Sequence, residues 1–504
     1  MKTRSLCTAA TLAAIVGSVG WLPAAEYVQI ATHSPGVAGS LWETDLEIRA
    51  DGGAAAHVQV DLLGKRRDNT TPLASTTVTV PAGANHRLTD LIEDTFGLTF
   101  TVGALRMTTL SGTPSFHSRT ANRGFSTFAY DVPVQPDSDA ITTGTLGRVI
   151  HLTGTPAMRT NLGFVNTSGS SIVVWTYLYR ADGTFYGSFS TTLAPFDMDQ
   201  SANIFPTEDV VDGYAVFQTS TPGGSFLAHA IVIEYSSGEW VLLPAVRDGS
   251  SKARVLNAPT TSYLPAAQRS VVGQNTTAWS EVEIQAGPNE GATVQIDLLR
   301  SNQDNSSPAF STVNVPIGES IRLADVLGSE FATTGTGALR LTVTSGYVEA
   351  MNAILFDAGG GDAFARYVPL AGANKALGGG GLAAMVLQLA RDADTTSDIG
   401  VLNLSGAQAD VRITLLGADG WPLGRVQLTL APWEHRELQS VFQPYGTVAD
   451  GAALIDSDQP LLCYGSVVET TTGDAGYNAC LSTPLLFLDG FESGNTSAWS
   501  STVP

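Results

Sequence analysis

Seven histidines, three cysteines and 47 acidic residues are the side chains of this 504-residue chain that could do chemistry. The histidines are dispersed, and neither the His-Glu-x-x-His motif of zinc hydrolases nor the Gly-x-Ser-x-Gly elbow of serine hydrolases occurs. A carboxylate pair for glycoside cleavage is defined by its separation in space, which the sequence does not give. The sequence therefore assigns no catalytic, cofactor-binding or metal-binding residue, and we predict that the chain is not an enzyme.

Closely spaced aspartates are the remaining candidates for a metal site, because calcium takes several oxygen ligands from one loop. None of them matches the twelve-residue calcium loop, and their positions do not recur among the repeats described below. We interpret them as solvated turn residues, and calcium binding by these acidic loops stays an open alternative. They are Asp137 and Asp139, Asp197 and Asp199, Asp392, Asp394 and Asp398, and Asp456 and Asp458.

Two cysteines, Cys463 and Cys480, remain after removal of the predicted export signal described below. The residues between them read as strand, turn and strand, with the midpoint at Thr471 and Thr472. A hairpin that turns there places the two sulfurs opposite each other, so we predict a cross-strand disulfide formed in an oxidising compartment. A zinc site on these cysteines is not expected, because no histidine pair lies nearby.

Aromatic residues offer a second kind of chemistry, since their rings can stack on the faces of pyranose sugars. Trp175, Tyr177 and Tyr179 alternate along one predicted strand and therefore share a face, which we interpret as part of a sandwich core. Trp421 and Trp433 lie near predicted turns. These two tryptophans are the candidate ligand-facing aromatics.

The elements that position these residues are organised by one thirteen-residue segment that occurs four times without a gap. Each copy follows an alternating run, turns at a proline and carries apolar residues at one-turn spacing toward its end. A repeat of this size is a domain, so the sequence predicts four β domains. The copies are VPAGANHRLTDLI at 80–92, LAPFDMDQSANIF at 193–205, VPIGESIRLADVL at 315–327 and LAPWEHRELQSVF at 430–442.

The predicted fold class is all-β, a tandem array of four immunoglobulin-like antiparallel β-sandwich domains in an A-B-A-B arrangement. The third repeat matches the first and the fourth matches the second, which indicates that a two-domain unit was duplicated and that A packs on B within each half. Polar segments at 135–144 and 247–262 and glycine-rich patches at 359–361 and 378–381 are interpreted as linkers. The predicted domains are A1 at 26–135, B1 at 146–246, A2 at 263–371 and B2 at 381–485, with a linker at 247–262 and a C-terminal tail at 486–504.

Alternation along the strands of the first repeat predicts its core. The apolar residues expected inside are Leu46, Ile48, Val58, Val60, Leu62, Val78, Val80 and Leu105. Toward the end of the repeated segment, Leu88, Leu323 and Leu438 occupy one aligned position and are expected to close the end of each sandwich. The second copy has Ser201 there and is expected to use neighbouring apolar residues instead.

Residues 1–25 have the layout of a secretory signal peptide: basic residues, an apolar run and small residues before Glu26. A membrane anchor that stays on the chain is the alternative, and no later stretch reaches the length of a transmembrane segment. Removing Lys2 and Arg4 leaves 24 basic against 47 acidic residues, a net charge near −23. Such a charge disfavours nucleic acid as a partner. The sequence predicts a protein that is secreted, extracellular or on the outer cell surface.

The repeats resemble a β-sandwich unit of secreted proteins from high-GC, Acidobacteria-like bacteria, whose function is uncharacterised. The resemblance covers almost all of the mature chain, copies two and four depart from it most, and it implies fold and export without any catalytic residue. The tail DGFESGNTSAW at 489–499 resembles a terminal string of bacterial secreted proteins, and implies either a sorting or surface-attachment tag or the start of a lectin-like jelly roll. The matching strings of the first repeat lie at 42–46, 80–83, 88–91, 96–97 and 103–106.

Two functions are therefore expected as alternatives. The first is an exported, non-catalytic, elongated protein with a structural or adhesive role at the cell surface or in the extracellular space. The alternative is a soluble carbohydrate-binding or scaffold module that acts with secreted enzymes. The first predicts retention on cells through the tail, and the second predicts glycan binding in culture fluid. The expected partner is an unknown protein or glycan, no cofactor is expected, and the chain is expected to be a monomer.

Overall fold

The computed structural model describes residues 24–36, 39–123, 129–236, 238–248, 256–257, 259–272, 275–357, 364–379, 383–470 and 475–483. Nearly all regular elements in them are β-strands, which pair in antiparallel fashion within six sheets. The prediction of an all-β fold is confirmed. Residues 1–23 of the predicted signal peptide and the tail at 486–504 lie outside the described residues, and Ala25 is already the first residue of a strand.

Unit 1, residues 25–136, is one nine-stranded sheet. Its strands are β1 (Ala25–Pro35), β2 (Leu41–Asp51), β3 (Ala56–Gly64), β4 (Ala74–Val80), β5 (Asn85–Leu88), β6 (Thr101–Ser111), β7 (Thr113–Asn122), β8 (Ala129–Asp131) and β9 (Val134–Pro136). The order along the sheet is β4-β3-β6-β1-β2-β7-β8, with β5 beside β2 and β9 beside β1.

Unit 2, residues 141–247, has two five-stranded sheets. Its strands are β10 (Ile141–Thr142), β11 (Gly147–Gly154), β12 (Met158–Asn166), β13 (Ile172–Tyr179), β14 (Phe185–Leu193), β15 (Met198–Ser201), β16 (Val210–Thr219), β17 (Ser225–Glu234), β18 (Trp240–Pro244) and β19 (Val246–Arg247). One sheet has the order β10-β17-β12-β15 with β18 beside β17, and the other has the order β14-β13-β16-β11-β19.

Unit 3, residues 256–372, is again one nine-stranded sheet. Its elements are β20 (Leu256–Asn257), β21 (Thr260–Val272), β22 (Asn275–Ala286), β23 (Ala292–Arg300), β24 (Ala309–Val315), β25 (Ser320–Leu323), α1 (Val326–Ser329), β26 (Gly335–Asp357), β27 (Phe364–Val368) and β28 (Ala371–Gly372). Strand β26 pairs with β23, β21 and β22, so this one strand occupies the positions that β6 and β7 occupy in unit 1.

Unit 4, residues 377–483, repeats the two-sheet plan of unit 2. Its strands are β29 (Leu377–Gly378), β30 (Ala383–Arg391), β31 (Thr395–Asn403), β32 (Ala409–Leu416), β33 (Pro422–Leu430), β34 (His435–Leu438), β35 (Val448–Ser457), β36 (Pro460–Glu469), β37 (Asn478–Ala479) and β38 (Leu481–Thr483). The two sheets have the orders β29-β36-β31-β34, with β37 beside β36, and β33-β32-β35-β30-β38.

The core of unit 1 lies between two layers that share β1. The first part of β1 pairs with β6 and its last residues pair with β2, so the sheet folds over on itself. Apolar side chains of β3 and β6 then meet those of β2 and β7 in one cluster. Every residue predicted for this core is buried there: Leu46, Ile48, Val58, Val60, Leu62, Val78, Val80 and Leu105.

The repeated segment carries the chain from one layer to the other. In unit 1 the strand before the proline turn pairs with β3, and the strand after it pairs with β2. The same change of partner occurs in the other three copies. Leu91 and Ile92, which follow β5, have no exposed surface, whereas Leu88 is only half-buried. Leu88 and the aligned Leu438 pack against their cores and Leu323 is buried, so the predicted position contributes to closing the sandwich together with the apolar residues that follow it.

Both predicted linkers contain strands. Within 135–144, Gln135 lies in β9 and Ile141 in β10, and both side chains are buried. Within 247–262, Thr260 begins β21. Strands as short as β9 and β10 do not show alternation in sequence, and β21 begins at Thr260, three residues before the predicted start of A2. Residues 249–255, 258, 359–361 and 380–381 of the predicted linkers lie outside the described residues.

The four units contact one another in a closed order, since unit 4 also contacts unit 1. The expectation of an elongated array is therefore wrong. The four contacts form two equivalent pairs: the contact of units 1 and 2 matches that of units 3 and 4, and the contact of units 2 and 3 matches that of units 4 and 1. The ion pairs and hydrogen bonds that represent them are Arg66–Asp199 at 2.8 Å, Arg322–Asp212 at 3.1 Å, the Asn302 N–H to the His435 carbonyl at 2.9 Å, and Arg87–Asp450 at 3.2 Å.

Candidate functional site

The aromatic residues of β13 face outward. The residues of this strand that enter the core of unit 2 are Ile172, Val174 and Leu178. Trp175 is 40% exposed, and Tyr177 and Tyr179 are partly exposed. The interpretation of the aromatic set as core is wrong. Both alternating sets of this strand are apolar, and the smaller branched side chains fill the space between the sheets.

Four side chains form what we call the aromatic shelf: Trp175, Tyr177, Tyr179 and Phe185. The ring of Tyr179 stacks on Tyr214 with centroids 4.9 Å apart, and the ring of Phe185 packs edge-on against Tyr179 with centroids 5.8 Å apart. The Tyr177 hydroxyl accepts a hydrogen bond of 2.9 Å from the Gln218 amide. Phe185 is 55% exposed at the outer end. The shelf thus combines fixed rings with open apolar faces.

Unit 3 supports the inner side of the shelf. The hydroxyl of Tyr214 donates to the Gly318 carbonyl at 3.2 Å. Ile150 and Val216, on the same sheet, pack against Ala350 of unit 3. Because these contacts fix Tyr214, they also fix the ring of Tyr179 that stacks on it. The shelf is therefore held by two units.

Unit 4 has the same strand without the aromatics. Its β32 carries Arg412, Thr414 and Leu416 at the positions of Trp175, Tyr177 and Tyr179, as the equivalent pairings with β16 and β35 indicate. Arg412 forms an exposed ion pair with Asp456 at 2.5 Å. Thr414 and Leu416 are buried, so Arg412 is the exposed one of the three. The exposed position of this strand therefore holds an aromatic ring in unit 2 and a charged side chain in unit 4.

The two tryptophans predicted to face a ligand lie in different environments. Trp421, at the turn between β32 and β33, is 71% exposed. Trp433 is half-buried, and the Arg340 guanidinium of unit 3 lies over its ring at 4.9 Å. Its carbonyl accepts a hydrogen bond from Asn305. Trp433 thus contributes to the contact between units 3 and 4, while a ligand role for Trp421 stays a prediction.

The closely spaced aspartates have structural partners. Asp197 is 4% exposed and accepts the Arg67 N–H at 2.9 Å, so it is not a solvated residue. Asp199 pairs with Arg66. Asp392 caps its own turn by accepting the N–H of Asp394. Asp398 accepts the Ser440 N–H at 2.7 Å, Asp456 pairs with Arg412, and Asp137 and Asp139 lie in a short 3-10 turn after β9.

The sequence did not predict one group of side chains of the types that bind metal ions, because its members are far apart in the chain. His33 Nδ1 lies 2.8 Å from Asp90, and His33 Nε2 lies 3.6 Å from Glu93. The aligned positions of His33 and Asp90 in unit 3 hold Arg269 and Asp325, which form an ion pair at 2.6 Å. Because unit 3 has a guanidinium at the position of His33, the group is a polar contact between β1 and the repeated segment. We therefore do not assign it to a metal ion.

The predicted disulfide between Cys463 and Cys480 is confirmed. Strand β36 pairs with β37 so that Tyr464 lies opposite Ala479, which places the two cysteines opposite each other. Their sulfurs are bonded, and their Cα atoms are 5.6 Å apart. The cross-strand geometry expected from the sequence therefore holds, and the predicted turn residues Thr471 and Thr472 lie outside the described residues.

No protein-family model matches this chain, and no curated protein matches it in sequence. Among the described residues, no helix is long and apolar enough to cross a membrane. The geometry of the exposed surfaces is what remains to indicate a function.

Proposed function

We propose that the protein is exported and non-catalytic, and that it adheres to glycan through the aromatic shelf of unit 2. The observation that carries this proposal is that Trp175 and Phe185 expose large apolar surfaces beside two further rings. Contiguous exposed apolar groups mark interaction sites. Aromatic faces beside hydroxyl groups suit a pyranose, which has an apolar C–H face and polar edges.

The internal comparison supports a binding role for the shelf. The aligned strand of unit 4 forms the same pairings with Arg412, Thr414 and Leu416. At the position that is exposed in both units, unit 2 has Trp175 and unit 4 has Arg412, so the large exposed ring of Trp175 is specific to unit 2. Polar groups also lie on the shelf, since Ser188 and Ser190 of β14 are directly opposite Tyr177 and Trp175. These hydroxyls can exchange hydrogen bonds with sugar hydroxyls.

We further propose that the four units are immunoglobulin-like sandwiches in an A-B-A-B arrangement. The succession of nine, five plus five, nine and five plus five strands supports it, as do the equal strand orders of units 2 and 4. Export is supported by the disulfide between Cys463 and Cys480, since such bonds persist in oxidising compartments. These proposals keep the adhesive role and the glycan partner expected from the sequence.

A retention experiment tests glycan binding. The full mature chain is run in native gels that contain soluble xylan or xyloglucan and is mixed with insoluble cellulose and chitin. We expect retardation or capture by at least one polysaccharide. Trp175→Ala should abolish it, and Phe185→Ala should weaken it, because each removes stacking surface. Arg412→Ala, at the position aligned with Trp175, is the matched control and should bind like the wild type.

The exposed Trp421 gives the sharpest alternative. If Trp421→Ala removed binding and Trp175→Ala did not, the shelf would lose its assignment. If the wild-type chain bound none of the polysaccharides in the panel, the shelf would also lose its assignment. Fractionating cells that express the chain with and without its last 18 residues, 487–504, tests surface attachment separately. Loss of retention on cells without the tail is the expected result, and equal retention would contradict attachment through the tail.

A further inference from the structure

The segment 475–480 of unit 4, which we call the strap, lies between two cavities. One cavity, of about 210 Å³, lies where units 1, 3 and 4 meet, and the other, of about 150 Å³, lies between units 3 and 4. Ala475 and Gly476 line both of them. The strap is therefore the wall that separates the two cavities, and it has open space on two sides.

The strap contacts unit 3 through the ring of Tyr477 and the carbonyl of Ala475. The Tyr477 ring packs into the apolar core of unit 3 and stacks on Tyr464 of its own unit with centroids 5.3 Å apart. The Arg366 guanidinium of unit 3 donates to the Ala475 carbonyl. Movement of the strap away from unit 3 would therefore uncover part of the core of that unit.

Unit 2 has the equivalent segment, held by a longer ladder. The pairings of β17 and β36 with the aligned strands β12 and β31 place His229 at the position of Tyr464, so β18 corresponds to 475–479 of the strap. All five residues of β18 pair with β17. Two residues of β37 pair with β36, and Ala475 adds one further bridge. The backbone pairing that holds the strap is therefore interrupted.

Three large apolar side chains fix the segment in unit 2. Val241 and Leu243 enter the core of unit 2, and Trp240 packs on two rings of unit 1 at 4.7 and 5.7 Å between centroids. The residues at these three positions of the strap are Gly476, Asn478 and Ala475. Because they bury less apolar surface, the strap is held less firmly by packing than β18 is.

The disulfide lies at the end of this loosely packed segment. Cys480 follows β37 and precedes β38, so it lies where the chain passes from one sheet of unit 4 to the other. In unit 2 the positions of Cys463 and Cys480 hold Ala228 and Ala245, which are both buried. The covalent bond of unit 4 thus takes the place of the ladder and the apolar packing that hold the segment in unit 2.

We propose that the bond between Cys463 and Cys480 is a thiol-sensitive latch. Its reduction lets the strap leave unit 3 while the four units stay folded, and joins the two cavities in one cleft. Strand β38 keeps its pairing with β30, so the opening is confined to the chain between β36 and β38. A local opening of this kind requires less free energy than unfolding of a whole unit.

The reductant is a small thiol, and the exchange begins at the more accessible cysteine. Cys480 is partly exposed, whereas Cys463 is 5% exposed. A thiolate attacks Sγ of Cys480, the bond between the two cysteines breaks, and Cys463 leaves as a thiolate that takes a proton from water. A second thiol then releases Cys480 as a thiol. Two thiols of the reductant are oxidised to one disulfide, and the disulfide of the protein is reduced to two thiols.

Hydrogen exchange of the full mature chain, followed by mass spectrometry, tests the latch. The chain is measured as purified and after treatment with reduced glutathione, and labelling with iodoacetamide reports whether Cys463 and Cys480 are reduced. We expect the amides of the strap and of β27, which lies beside it in unit 3, to exchange about tenfold faster or more after reduction. The amides of β31 and β35 should not change, because unit 4 stays folded. Strand β18 is the internal control, since it has no bond to lose.

Two variants connect the exchange to the bond and to the packing. Cys463→Ala with Cys480→Ala gives unit 4 the residues of unit 2, and its strap should exchange fast with or without glutathione. Gly476→Val in that background adds the side chain that unit 2 has, and it should slow the exchange of the strap. The valine has room, because a Cβ at Gly476 meets no atom closer than 3.8 Å. Equal exchange with and without the valine would count against the proposal.

Three further results would overturn the proposal. They are failure of glutathione to reduce the bond in the folded chain, unchanged exchange of the strap in a chain whose two thiols are labelled, and exchange that rises equally in β31 and β35. The last result would show that the bond holds the fold of unit 4 rather than the strap. Glycan retention through Trp175 is measured separately, so failure of either proposal leaves the other intact.

Discussion

Units 2 and 4 share strand orders and the repeated segment, yet they differ on the surfaces they present. On β13 unit 2 has the aromatic shelf, and on β32 unit 4 has Arg412, Thr414 and Leu416. Trp240 of unit 2 packs on Tyr130 and Trp42 of unit 1, whereas the equivalent residue of unit 4 is Ala475, which lines a cavity of about 210 Å³ where units 1, 3 and 4 meet. Because one fold carries both versions, the differences indicate where the chain has specialised.

The difference extends to the charges at the two equivalent junctions. The imidazole of His151 in unit 2 is buried 3.3 Å from the Glu281 carboxylate, and the backbone N–H of His151 donates to the Glu283 carboxylate. Burial alone would lower the pKa of His151, but the two carboxylates together raise it. In unit 4 the aligned residue is Gln388, which faces unit 1 without a charge. The junction between units 2 and 3 thus places a histidine against two carboxylates, where the junction between units 4 and 1 has an uncharged amide.

The largest effect is expected from His151→Gln, which gives unit 2 the residue of unit 4. Removing one partner of a buried ion pair should lower the free energy of unfolding by about 3 kcal/mol. Because the pKa of His151 is raised in the folded state, this loss should be complete below pH 6.5 and should shrink as the pH rises through the raised pKa. Urea unfolding of both proteins at pH 6 and pH 9 measures it, and an equal loss at both would contradict the charged pair.

Loss of the disulfide is expected to cost somewhat less. Cys463 and Cys480 close a short loop between paired strands, so replacing both with alanine should destabilise unit 4 by roughly 2 to 3 kcal/mol. Thermal unfolding measures the change. Thiol labelling of the unreduced, denatured protein is the control, and two reactive thiols would show that the bond is absent in the protein as produced.

A smaller effect is expected from Glu47→Gln at the junction of units 1 and 4. Burial, together with the charge of Asp450, raises the pKa of Glu47 to about 8. A carboxyl whose pKa is raised by folding costs stability as the pH rises from its ordinary value of 4.5 to about 8. The variant should therefore match the wild type near pH 4 and be more stable than the wild type at pH 9, an effect opposite in sign to the two preceding ones. A difference that does not change with pH would contradict the buried neutral carboxyl.

The smallest effect is expected from cutting the chain between the halves. The segment 249–255 is polar and lacks periodicity, so limited proteolysis should cleave there before it cleaves 135–144, whose Gln135 and Ile141 are buried. The two fragments should stay together in size-exclusion chromatography, because units 2 and 3 and units 4 and 1 remain in contact. Fragments that separate under native conditions would contradict the closed order of units.

The sequence was sufficient to predict structure wherever the pattern lies within a short segment of the chain. Alternation identified the core of unit 1, and the spacing of Cys463 and Cys480 identified their hairpin. It misplaced Trp175 because both faces of β13 carry apolar residues, and the choice between them depends on the opposing sheet. The cavity beside Ala475 could not be predicted, since Arg119 of unit 1 and Arg366 of unit 3 are brought together there only by the packing of separate units.

The most direct test of the account exchanges the shelf for its counterpart. A variant with Trp175→Arg, Tyr177→Thr and Tyr179→Leu carries on β13 the residues that unit 4 has on β32. Its retention on the polysaccharide that the wild type binds best is measured by native affinity electrophoresis, with circular dichroism to confirm folding. We predict that the folded variant loses all retention. Retention equal to that of the wild type would contradict the assignment of the shelf as the glycan-binding surface.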